Sequence, residues 1–420
     1  MSSLRPFRAL RPQPHQAAAV SAVPYDVVNA AEAAALAEGN PLSYLRVSRA
    51  EIELPAGTDH YADAVYATAA ANFARLRAAA PLVVEAAPAL YLYRLRMGAH
   101  VQTGIAATFS VEEYERDVIA KHEKTRKDKE DDRTRHIVAL RAQTGPVFLT
   151  YPADASIDAL VAAATEGPGA RDPLFDFTAP DGVAHTVWLA TEAEAAQLVA
   201  AFRGIARLYI ADGHHRAASA MRARHAIAEA GTGARAEGAA GDGETEADWF
   251  LAVAFPHDQM QILPYHRVVR DLAGQTAAQL LDGIRARGIS VQPGTDTPGG
   301  PGEVSMYLAG AWHRLVLAPA APNAAPADRL DVSLLHDQVL APLLGVGDPR
   351  TDKRIDFVGG IRGPKALADA VDAGAAAVAF AMHPTQIGDL MGIADAGEIM
   401  PPKSTWFEPK LRDGLLVHLI

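Results

Sequence analysis

Apolar positions along the chain fall into short buried runs that alternate with helical stripes. Tyr61 to Ala79 sets apolar side chains at helical spacing with Asn72, Arg75 and Arg77 on the other side, which predicts an amphipathic helix. Ala89 to Met97 and Gln102 to Ser110 read as strands paired around Gly98, and Val147 to Tyr151, His185 to Ala190, Ala206 to Ala211 and Phe250 to Phe255 as further buried strands. Between them, helices are expected at Ala31 to Ala37, Ile157 to Ala164, Glu192 to Gly204 and Ala217 to Glu229, the first behind an Asp or Asn cap in Asp26 to Asn29. Leu42 to Ser48 reads as a strand. Further on, strands Val304 to Leu308, His313 to Leu317, Ile355 to Val358 and Ala375 to Met382 accompany helices Ser333 to Leu340 and Pro364 to Ala373, and Trp406 to Ile420 reads as a hairpin turning at Asp413-Gly414.

This pattern predicts an α/β protein, mixed α+β in detail, built of several packed units. At 420 residues the chain exceeds one ordinary core. Expected units are 1–145, 146–295 with a flexible insertion at 231–247, and 296–420, the insertion being inferred from a Gly, Ala and Glu stretch without apolar period.

A net charge of -11 argues against nucleic acid as a partner, because affinity for a phosphate backbone rests on Lys and Arg. With no cysteine, thiolate metal sites and cysteine nucleophiles are excluded. The opening Met1-Ser2-Ser3-Leu4-Arg5-Pro6 lacks an apolar signal region, and no stretch approaches the roughly 18 apolar residues of a membrane span, so a cytoplasmic chain without membrane contact is expected. Oligomeric state is open.

Chemistry concentrates at Asp212-Gly213-His214-His215-Arg216, between a strand and a helix. A helix start offers backbone N–H groups and positive dipole charge to an anion. Gly213 permits close backbone approach, Arg216 supplies a planar fork, and His214 and His215 donate hydrogen bonds or protons near neutral pH. Asp212 would repel a phosphate unless it holds Mg²⁺, orients a histidine or takes a proton. Its plainer alternative is a helix cap.

The stretch Ile210 to Ala218 resembles the Gly-x-x-Arg phosphate loop of the ParB/sulfiredoxin superfamily, especially the Asp-Gly-His-His-Arg version of its free serine kinases. The resemblance implies a nucleotide pocket for ATP or ADP in which Gly213 and Arg216 cradle phosphates. A longer resemblance links the chain to an uncharacterised prokaryotic family of unknown function, often encoded near serine-biosynthesis enzymes. It spans Val23 to Val27, His122-Glu123-Lys124-Thr125, Asp212 to Arg216, Leu263 to Arg267 and Met400 to Phe407.

Around the turn, Glu123 is the expected base for a substrate hydroxyl, with His122 as its alternate. His122, Thr125 and Arg267 are assigned to substrate. Lys403, Ser404 and Thr405, held stiffly after two prolines, are assigned to a phosphate or carboxylate of the cofactor. Asp26 reads first as a cap, with a reach into the site as its alternative. The reading is phosphoryl transfer between a nucleotide and a small hydroxylated metabolite, free serine by analogy. A metal-assisted phosphohydrolase and a non-catalytic nucleotide sensor are its alternatives.

Overall fold

Long apolar runs without strand-like alternation form the centre of the larger sheet. In the computed structural model, which describes residues 2–80, 82–231 and 244–420, this sheet contains nine strands. They are β1 Leu4–Arg5, β2 Tyr91–Met97, β3 His100–Ser110, β4 Ile119–Ala120, β5 Val147–Tyr151, β6 Phe175–Thr178, β7 Ala184–Leu189, β8 Leu208–Asp212 and β9 Trp249–Pro256. Their order is β4-β8-β5-β9-β3-β2-β7-β6, with β1 also on β3. β5 is buried throughout and β9 nearly so, as expected of strands covered on both faces. Pairing is mixed: β8 runs parallel to β4 and antiparallel to β5, and β5 runs parallel to β9.

Helices α1 Asp63–Ala79, α2 Lys127–Leu140, α3 Ala155–Thr165, α4 Glu192–Phe202 and α5 His214–Glu229 belong to the same unit, and α2 packs against both α1 and α5. One core joins Leu92, Ile105, Phe109, Leu149, Phe202, Ile210 and Phe250. A second forms around Tyr44, Phe73, Leu76, Leu140 and Val417.

The chain divides into two compact units, Met1–Met260 with Pro409–Ile420, and Gln261–Glu408. The divisions expected at residues 145 and 295 fall inside one unit each. Local patterning marks elements and turns, whereas unit membership follows long-range pairing, which it does not encode. Of the expected insertion at 231–247, residues 232–243 lie outside the described residues.

In the first unit a four-stranded sheet pairs Val83–Val84, Ala9–Arg11, Val417–Leu419 and Ala142–Gln143 in that order. The expected C-terminal hairpin is therefore absent. Trp406–Phe407 pairs with Ile262–Leu263 in the second unit, whereas Val417 pairs with Leu10 and His418 with Gln143. Leu42 to Ser48 also departs from expectation, forming a turn and then helix Leu45–Ser48, with Tyr44, Leu45 and Val47 all buried. Short apolar runs carry too few positions to separate the two periods.

The second unit holds β10 Tyr265–Val269, β11 Ser290–Pro293, β12 Glu303–Leu308, β13 Ala311–Val316, β14 Ile355–Gly359 and β15 Val378–Met382 in an antiparallel sheet of order β11-β13-β12-β15-β10-β14. Helix Lys365–Asp372 covers it through Leu367, against Val268, Tyr307 and Ala379. Among the described residues, no helix is long and apolar enough to cross a membrane.

Candidate active site

β8 ends on Asp212 and α5 begins at His214, so the turn expected to span five residues is Gly213 alone. Gly213 takes φ 92°, a left-handed conformation that glycine adopts freely, and a Cβ there would lie 3.0 Å from the Arg216 guanidinium carbon. The β8–β5 register shifts between Ile210 and Asp212, a bulge that re-aims the strand's last side chain. His214, His215 and Arg216 form the first turn of a 16-residue helix that no side chain caps. This is the helix terminus at which an anion is best received.

Topology explains what stands beside it. Because β4 runs parallel to β8 with Ala120 opposite Tyr209, the chain leaving β4 carries His122 and Glu123 to the same sheet end as Asp212. The His122 backbone N–H donates to His214 Nε2 at 3.5 Å, and their rings meet edge to face at 4.4 Å. The Arg126 backbone N–H likewise donates to His215 Nε2 at 3.0 Å. With Nε2 accepting, His214 carries its proton on Nδ1, and that atom lies 3.9 Å from Glu123 Oε2. Burial, reinforced by His122, pushes His214 well below the usual histidine range, so the ring is neutral. Burial also pushes His122 down to about 4. Glu123 is 42% exposed while His214 is 4% exposed, which leaves the carboxylate accessible to a substrate. Thr125 Oγ1 donates to the Glu130 carboxylate, bracing the loop behind it.

Asp212 accepts from the Gly213 backbone N–H at 2.8 Å and from Lys410 Nζ at 3.0 Å. Burial would raise its pKa, yet Lys410 and Arg216 together hold it well below the ordinary carboxylate range. Arg216 is buried, donates to the Pro146 carbonyl, and has Asp26 and Asp212 oxygens 3.6 and 3.7 Å from Nη2. Burial opposes its charge, but Asp26, Asp212 and Asp413 raise its pKa. A guanidinium flanked by acids orders carboxylates, and its Nε and Nη2 make no hydrogen bond. Lys410 is the cation paired with Asp212 at the uncapped helix start.

Sequence reasoning missed Lys410 and Asp413 and read Asp26 first as a cap. Asn29 is the cap, closing a capping box with Glu32. Behind Arg216 lies a cavity of about 30 Å³ lined by Tyr25, Arg133, His136, Gly145 and Asp413 among others, and Asp413 Oδ1 has no hydrogen-bond partner there. A Cβ on Gly145 would sit 2.5 Å from that oxygen, so only glycine fits. Lys403, Ser404, Thr405 and Arg267 belong to the second unit.

Burial pushes the Asp413 carboxyl up to about 7, against the pull of Arg216 and with a further push from Asp26. The unfolded carboxyl titrates near 4, so between roughly pH 4 and 7 the folded chain holds a proton that the unfolded chain has released. That group therefore makes stability fall as pH rises through the window. Asp413→Asn is expected to remove this component, so that the urea midpoint of wild type minus that of the variant declines from pH 4 to pH 7. The lowered histidines act in the opposite sense, but they are common to both proteins and cancel. A flat difference would refute the assignment.

Among the described residues there is no cluster of three or more His, Asp and Glu that could hold a metal by itself. Mg²⁺ commonly takes one or two protein carboxylates, completing its shell with phosphates and water. Asp212, kept ionised with the Gly213 N–H on one oxygen and Lys410 on the other, fits that donor set; at most it would share an ion that arrives with phosphate.

A mixed α+β chain with a carboxylate–histidine cluster at a strand-to-helix turn is the class that fold and site define. The chain belongs to the family described as protein of unknown function (DUF1015), whose model matches residues 4–333. No curated protein sequence matches it. Similar solved structures include a free serine kinase in complex with AMP, at 10% identity and TM-score 0.33 over 74% of this chain and 91% of that chain. SbnI with C-terminal truncation from Staphylococcus aureus gives 12% identity and TM-score 0.35, over 75% and 87%. A conserved hypothetical protein from Pyrococcus furiosus gives 12% and 0.32, over 75% and 95%. Scores this low leave function to the chain's own residues.

Proposed function

We propose that this chain is a phosphotransferase that moves a phosphoryl group from ATP or ADP to the hydroxyl of a small metabolite, free serine being the first acceptor to test. The observation that carries the reading is the accessible Glu123 carboxylate, 3.9 Å from His214 Nδ1 at an uncapped helix start beside Asp212 and Lys410. The Asp-Gly-His-His-Arg resemblance narrows the anion from any phosphate to that of a nucleotide.

The acceptor oxygen attacks phosphorus, its proton passes to the Glu123 carboxylate, and the bond from phosphorus to the nucleotide's bridging oxygen breaks with its electron pair leaving on the nucleotide. Lys410 and the first-turn amides hold the phosphate oxygens, and the His214 Nδ1–H keeps Glu123 oriented. Arg216 fixes Asp26 and Asp212 in place. Mg²⁺, shared between Asp212 and the phosphates, would supply charge neutralisation.

Incubating the full chain with ATP or ADP, Mg²⁺ and L-serine should give a new phosphomonoester resonance of O-phosphoserine in phosphorus NMR. Inorganic phosphate alone would replace transfer by hydrolysis. Nucleotide that binds in calorimetry yet stays intact would make the chain a sensor.

A further inference from the structure

The second unit buries a positive charge without a matching negative one. Arg267, in strand β10 between β15 and the edge strand β14, is 3% exposed. Nη1 donates to the Tyr265 carbonyl and Nη2 to the Lys403 carbonyl at 3.0 Å, while the guanidinium carbon lies 5.4 Å from the Phe357 ring centroid. Among the described residues no carboxylate pairs with it. Carbonyl oxygens and a ring face hold the group in position, but none of them cancels its charge. Buried charges are ordinarily paired, because an uncompensated ion in a low-dielectric interior is costly. Burial correspondingly pushes Arg267 down to about 9, with only Tyr265 opposing.

A second cation is brought to the same place by a segment 136 residues away. Lys403 has φ 57°, a left-handed conformation that a long side chain rarely adopts, and its Nζ lies 5.3 Å from the Tyr265 ring centroid. The conformation is held from both sides: Ser404 Oγ donates to the Pro401 carbonyl at 2.7 Å, and Thr385 Oγ1 donates to the Ser404 carbonyl at 2.8 Å. Trp406 closes the aromatic side, 5.1 Å edge to face from Tyr265, where Gly359 admits its ring. Strain in a loop braced this firmly, turned toward an unpaired arginine, is the pattern of a binding position.

We propose that the second unit carries an anion site of its own, in which Arg267 and Lys403, framed by Tyr265, Phe357 and Trp406, receive a phosphate group of a small molecule. A guanidinium fork with a separate ammonium suits a tetrahedral dianion, whereas a monocarboxylate needs only one of the two. The site does not depend on transfer at Asp212.

Fluorine NMR of the full chain labelled with 5-fluorotryptophan tests it, since Trp406 is one of only four tryptophans and is assigned through Trp406→Phe. Inorganic phosphate at constant ionic strength should move the Trp406 resonance along a saturable curve, and Arg267→Met should weaken that curve at least roughly tenfold. A Trp406 signal that ignores phosphate, or a folded Arg267→Met chain with the wild-type curve, overturns the site. Acetate acting equally overturns the preference for phosphate. If Arg267→Met does not fold, Lys403→Met decides: weakened binding supports the site, and unchanged binding overturns it.

Discussion

Glu123→Gln is expected to lower kcat for phosphoryl transfer by roughly 10²- to 10⁴-fold while nucleotide affinity stays within a few-fold of wild type. The amide preserves the side chain's shape beside His214, but it cannot take the acceptor's proton. Because Glu123 is the accessible member of the pair and His214 the buried one, the substitution leaves the core untouched. The loss belongs in kcat because the base acts only as the acceptor oxygen bonds to phosphorus. Single-turnover kinetics with calorimetric nucleotide binding would check it, and a kcat unchanged within threefold would remove Glu123 from the chemistry. His214 and His215 cannot take its place without rearrangement, since both already accept backbone N–H groups through Nε2.

Arg216→Met should destabilise the chain by about 3–5 kcal/mol, read as a urea midpoint or a fall in Tm of roughly 10 °C. Methionine fills much of the volume, so the loss is electrostatic: Asp26 and Asp212 lose the cation between them, and Asp413 loses the charge that opposes its neutralisation. Asp26→Asn in the same chain should recover part of the loss, because it removes one of the stranded carboxylates. Strict additivity of the two substitutions would show that the guanidinium and Asp26 do not act as a unit. A catalytic defect without any stability defect would return Arg216 to the phosphate-cradle role.

Much of the first unit was legible because its strands are long buried runs and its helices have regular stripes. Tyr61 to Ala79, Val147 to Tyr151 and Phe250 to Phe255 fall within a few residues of α1, β5 and β9. The strand, turn and helix at Asp212 were legible too, although the turn is shorter than its polar letters suggested, since one glycine at positive φ reverses the chain and the histidines then serve as helix residues. Glu123 was reachable from its motif, while the parallel pairing of Ile119–Ala120 with β8 that carries it there was not. Lys410 meets Asp212 across 198 residues of sequence, and no local period encodes such a contact. Asp26 was obscured by its neighbour, because Asn29 three positions later satisfies the helix that Asp26 seemed placed to cap.

The return of residues 409–420 to the first unit has a consequence during synthesis. A nascent chain that has exposed residues 1–260 possesses Asp212, Glu123 and Arg216 but neither Lys410 nor the strand Val417–Leu419 between Ala9–Arg11 and Ala142–Gln143. At about 5–20 residues per second, translating the stretch up to residue 408 delays them by roughly 7–30 s. Throughout that interval the ribosome holds a first unit with an open sheet edge, so chaperone occupancy measured along the message should be highest over the codons of the second unit.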